Sequence, residues 1–417
     1  MVCTSAGLIG CAVQHEVPWF VPGSAFGSRG LPFELMVYTG DIMVRVATIA
    51  ALTLLPAGSA SARGEVRDPR SGHDSIAGAE GTLIRLRTGG FWLNLHHFLY
   101  VLGRAEAGFP DASRSSVKGA TADQDSVLSR LPVADRHIWR AAVRHYAEGP
   151  SRLDPIFDST AFRMIHRLSR SESSAPVSSL GIDAALALVL EPAARIYRAA
   201  WWPRHDAANR RRAASLQPLL DRHQDTLRAF VSRAYGIVWP AGGLDLHLSA
   251  YANWAGAYST DGPLLVASSL DPALDGWHGV EMAVHEGLHQ WDRQVEEMLA
   301  VAVRGSGARP PGFDLVHAMI FATAGDAVRR IVPDHVEYAE LHGLWRGRGM
   351  ARYSAAINTG WRPWLRGEAT LDAAVAALVR ALPERPTSRR HRRGASAVEA
   401  WAEGRCRIHS VVSVVAA

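Results

Sequence analysis

Residues 285–289 read His-Glu-Gly-Leu-His, the spacing H-E-x-x-H. On a helix His285 and His289 lie one turn apart on one face. Two imidazoles so placed can share one Zn²⁺ at nitrogen distances of roughly 2.0–2.1 Å. Glu286 stands beside them without joining them, so its carboxylate can take a proton from a water that the metal has acidified toward a pKa of about 7. That is hydrolytic chemistry. The competing reading of the same five residues is a polar helix face with two satisfied histidines.

A catalytic zinc takes a third protein ligand, and the sequence offers three candidates. His317 falls in the first turn of a helix that follows a Gly/Pro loop, and Ile320, Phe321 and Ala324 give that helix an inward strip. Asp326 is nine residues on, about half a turn round, so it and His317 cannot both face one metal. Glu296 and Glu297 continue the motif helix two turns past His289. His317 is taken as the ligand, with Asp326 as the alternative. Glu281, one turn before His285, is placed to support a ligand from behind.

These residues need elements to hold them, and most of the chain reads as helix. Apolar residues recur at helical spacing over 91–105, 133–147 and 158–168, and over 182–200, where Pro192 invites a kink. A longer helix is expected over 206–235 with Asp206 as its N-cap. Residues 244–259 alternate in part and are rich in Tyr and Trp. Gly262-Pro263 marks a turn, and 264–268 is a compact apolar run. Together they predict a small antiparallel β element leading into the motif. Helix returns over 279–301, then over 315–331 with Asp314 as cap, and again from Thr370. The fold class expected is mainly α with a small antiparallel β element.

Strand, motif helix and later helix in that order resemble the HExxH zinc metallopeptidases, the zincins, in their gluzincin-like branch. The resemblance covers Glu281 to His289 and the downstream helix. The metzincin continuation, a Gly and a third His soon after the motif, is missing, because HEGLH runs into QWDRQVEEM. No helix of the N-E-x-x-x-D type follows, so the glutamate that gluzincins use as third ligand has no counterpart. The resemblance implies zinc as cofactor, a peptide or protein substrate, and a Tyr or His that donates to the developing oxyanion. Tyr338 is taken for that role, with His335 as its alternative. It also implies an edge strand that pairs with the substrate. Tyr251, Trp254 and Tyr258 are candidates for the wall along it, unless they are core. His96 or His97 is a candidate to line the cleft, with packing expected for at least one because adjacent histidines point to different faces, and His205-Asp206 is read as a helix start rather than a second site.

Composition limits the other possibilities. The net charge of +5 carries a single lysine, Lys118, and the arginines are spread among acids apart from a block at 389–393. A nucleic-acid reader would gather its charge on one face, so no nucleic-acid partner is expected. No apolar run reaches the roughly 18 residues of a membrane span. Residues 43–62 read MVRVATIAALTLLPAGSASA, a positive start, an apolar stretch and a small-x-small end, as in a secretory signal. Residues 1–42 then look like a misassigned start, 63–385 like the helical zincin-like domain, and 386–417 like a basic tail. Cys3, Cys11 and Cys406 leave one cysteine after residue 62, so no internal disulfide is expected there. The sequence reads as an exported zinc hydrolase, secreted or periplasmic. The alternative is a non-catalytic exported helical protein that binds a metal or ligand with a vestigial HExxH.

Overall fold

The computed structural model describes residues 81–260, 262–304, 306, 312–347 and 350–382. The segments 1–42, 43–62 and 386–417, on which the start-site, signal and tail expectations fall, lie outside the described residues.

Four strands form one sheet: β1 (Ile84–Arg87), β2 (Leu244–Ser249), β3 (Ala257–Thr260) and β4 (Leu264–Ser268), in the order β1-β2-β4-β3. The expected antiparallel element is there as the β3–β4 pair, with Tyr258 opposite Val266. The sheet is mixed, because β2 joins β4 in parallel and β1 joins β2 in parallel. Side chains alternate across it. Leu265 and Ala267 of β4 enter one core with Leu246 and Leu248 of β2. Leu264 and Val266 enter another with Leu93, Ile165 and Tyr258. Both faces are therefore covered by helices, as expected of parallel strands.

Before the sheet's main strands come α1 (Phe91–Glu106), α2 (Ser115–Leu128), α3 (Val133–Glu148), α4 (Ser159–Arg170), α5 (Ala184–Ala200) and α6 (Trp202–Tyr235). Asp158 and Asp183 cap α4 and α5, each side chain accepting two backbone N–H groups of the first turn. The helix that was to start at Asp206 starts at Trp202, because Pro203 suits a first turn that needs no N–H donor. Asp206 lies inside it and pairs with Arg210. The helix stops at Gly236, whose φ of 63° is open to glycine and strained for other residues.

After the sheet come α7 (Gly276–Leu288), α8 (Asp292–Val303) and α9 (Phe313–Arg329). Residues 279–301, expected as one helix, are thus two, joined by a 3₁₀ turn over His289–Trp291. Short helices α10 (Tyr338–Leu341), α11 (Ala351–Ala356) and α12 (Arg362–Arg366) follow, with a π turn over Ile357–Trp361, and α13 (Leu371–Arg380) closes the core. Asp314 is the second residue of α9, not its cap, and its carboxylate meets Arg352 at 2.7 Å. Among the described residues no helix is long and apolar enough to cross a membrane.

Candidate metal centre

The motif lies on the last turn of α7 and the first residue of the 3₁₀ turn beyond it. Ten consecutive residues, Gly279 to Leu288, are buried, which an amphipathic surface helix could not be. Gly287 inside the motif has a packing reason. A Cβ there would sit 2.6 Å from Cη2 of Trp239, so the helix approaches that ring as only glycine allows.

His285, His289 and His317 come together. Nε2 of His285 lies 3.1 Å from Nε2 of His289 and 3.2 Å from Nε2 of His317. Two nitrogens on a tetrahedral zinc stand about 3.3 Å apart, by the bond lengths of such sites. The rest of the geometry fits a cation as well. Nδ1 of His289 donates to the Asp292 carboxylate, 2.8 Å to Oδ2, which leaves its Nε2 with a lone pair toward the other two. Burial, helped by neighbouring imidazoles, holds His285 and His317 well below the usual histidine range, in the neutral form that ligates. Burial also opposes charge on His289, but Asp292 outweighs it and raises that group. The three donors are a group that can hold a metal ion.

Glu286 is 5% exposed and lines the same cleft. Burial pushes its carboxyl up to about 7, against the opposing pull of His289 and a hydrogen bond from Ser259 of β3. The cleft, of about 470 Å³, is walled by Ala257–Thr260 of β3 on one side and by His317 and Phe321 of α9 on the other. Tyr338 lines it too. Its ring lies parallel to Phe321 at 6.2 Å, and its hydroxyl is without a hydrogen-bond partner among the described residues. Trp254 also lines the cleft, whereas the Tyr258 ring, expected there, lies in the core with Leu93 and Ile165, its hydroxyl 2.7 Å from Nε2 of His97. Tyr251 does not line the cleft, because it stacks on Phe98 in the core of α1, α3 and α5.

Several alternatives are placed elsewhere. Asp326 is bound by Arg329 and Arg362, each at 3.0 Å, away from the three histidines. Glu296 reaches only the cleft lip, and Glu297 meets Arg293 at 3.7 Å. His335 is held by Glu281 at 2.6 Å and is not among the residues lining the cleft. Glu281 itself does not support His285, because its oxygens go to His335 and to the backbone N–H of Tyr338. Nδ1 of His285 is buried without a partner. His96 and His97 are core, bonded to Tyr146 and to Ser249 and Tyr258. His205 bonds Asp123 and Tyr197.

Sequence reasoning missed Asp292 and Ser259. Asp292 had a signal, since it stands three residues after His289 where side chains on one helical turn meet. Ser259 had none, because only the fold brings β3 beside Glu286. Comparison of the chain with protein-family models, with curated proteins and with solved structures finds no match.

Proposed function

We propose that the protein is a zinc-dependent hydrolase of the zincin kind that cleaves peptide bonds, acting outside the cytoplasm. The observation that carries this is the convergence of three imidazole Nε2 atoms beside a buried carboxylate in one open cleft. Metal binding alone would not call for Glu286. The export part rests only on the signal-like residues 43–62.

His285, His289 and His317 would hold the ion. When bound, zinc supplies a Lewis acid and an acidified water. Glu286 takes the proton of the attacking water, and a carboxyl pushed toward neutrality suits a base that must later return it. The hydroxyl of Tyr338 donates to the oxygen that becomes negative as the carbonyl is attacked. Among the described residues β3 pairs only with β4 and so is the sheet's edge beside the cleft. An extended peptide can add to it as a further strand, which presents successive carbonyls past Glu286.

The test begins with metal content and a casein or peptide-library screen of purified protein. We expect a zinc-dependent turnover that chelation abolishes, and we expect His289→Ala and His317→Ala to lose zinc and turnover together. Zinc retained in full by both variants would remove the site. Zinc lost without any turnover in the wild type would leave the non-catalytic alternative in its place.

A further inference from the structure

We propose that His278, Glu281 and His335 form a second cation site, separate from the three cleft histidines and suited to a zinc-like divalent ion. Ligand atoms of the three lie within 4.8 Å of one another. Two imidazoles and one carboxylate are a donor set for borderline ions such as zinc, rather than for calcium or magnesium. His278 and Glu281 are three apart on α7 and share a face. His335 arrives from the turn after α9.

Each donor is oriented from behind, as ligands usually are. His278 Nε2–H donates to the carbonyl of Val336 at 2.9 Å, which leaves Nδ1 with its lone pair. Glu281 is 1% exposed, and both its oxygens lie 3.0 Å from the Tyr338 N–H, which fixes the carboxylate plane. Its Oε2 meets His335 Nε2 at 2.6 Å. Without an ion, the proton between them holds the pair. An entering cation takes both lone pairs and that proton leaves to solvent. His278 bonds at the exposed side of the cluster and gives an entry path.

An ion held here would pin α7 to the segment that carries Tyr338 into the cleft. The site does not depend on the proposed hydrolase activity.

The test is a titration of metal-stripped full-length protein with zinc chloride, with bound metal counted by mass spectrometry after gel filtration. Wild type should bind two ions per chain. His278→Ala and His289→Ala should each bind one, and the double variant none. Glu281→Gln keeps an acceptor for the Tyr338 amide and should also lose one ion, with circular dichroism showing both variants folded. Should His278→Ala lose an ion while His289→Ala loses none, this site stands and the cleft reading falls. Should His278→Ala and Glu281→Gln both keep every ion the wild type binds, the cluster is a hydrogen-bonded pair only, and the proposal is overturned.

Discussion

At the scale of single residues, Glu286 and Asp292 do different work around the same histidines, and substitution should separate them. Glu286→Gln keeps size and much of the hydrogen bonding with Ser259 but removes the proton acceptor. We expect zinc content and melting temperature near wild type and turnover lower by at least ~10²-fold, the scale of general base catalysis. Undiminished turnover would rule out the assigned base. Asp292→Asn should act on the metal instead. The carboxylate fixes the tautomer of His289, and loss of such partners typically weakens metal affinity by about 10–100-fold. Competition with a chelator measures it, and an unchanged affinity would mean that Asp292 merely adds a negative charge to the first turn of α8. The convergence of His285 and His289 was legible because their spacing sets them one helical turn apart, and that of His317 because its helix follows a Gly/Pro loop that lets the chain fold back. Ser259 was not, since its place beside Glu286 depends on a strand edge that no local pattern encodes.

At the scale of elements, the junction of α7 with Trp239 invites a direct test. Gly287→Ala puts a methyl 2.6 Å from a ring carbon held between Trp291, at 5.0 Å, and the hydrogen bond of Trp239 Nε1 to Leu83. That ring has little room to move. Overpacking of this kind costs about 1–3 kcal/mol. Urea denaturation should show a lower midpoint with unchanged slope, and an unchanged midpoint would show that the indole gives way. Helices with apolar stripes, such as α1 and α3, were legible from their period. Helix α2 was not, because only Val117, Ala120, Val127 and Leu128 of its fourteen residues are buried. Strand β1 was missed because IRLR is four residues long and finds its partner only in space. The break after Leu288 was hidden because the apolar residues of α7 and α8 keep nearly one register across it.

At the scale of the whole molecule, acid stability should depend on the network at the base of the Tyr338 segment. Glu337 is 4% exposed and meets Arg362 at 2.6 Å, Arg329 at 3.1 Å and the Trp345 N–H at 2.6 Å. Burial would raise its carboxyl, but Arg362 first, then Arg329 and Trp345, hold it below the usual glutamate range. The unfolded chain keeps the ordinary value near 4.3, so it binds the proton more readily than the fold does. The stabilisation is therefore whole above that value and is lost as pH falls through the lower folded one. Glu337→Gln should melt well below wild type at neutral pH, and the gap should narrow as the buffer is taken to about pH 3.5. A gap that stays constant with pH would show that charge is not what the network contributes.

The parallel pairing of β1 with β2 also sets an order of events during synthesis. Ile84 is matched with Leu244, and Arg85 bonds Asp245 across 160 residues. At ~5–20 residues per second a ribosome needs roughly 8–30 s to make that stretch. Through that time β1 has no strand to pair with, and Leu83 and Ile84 have no sheet to lie against. The helices α1, α3 and α5 can assemble around their own aromatic core in the interval. The sheet cannot, and the cleft that depends on it is among the last parts of the molecule to exist.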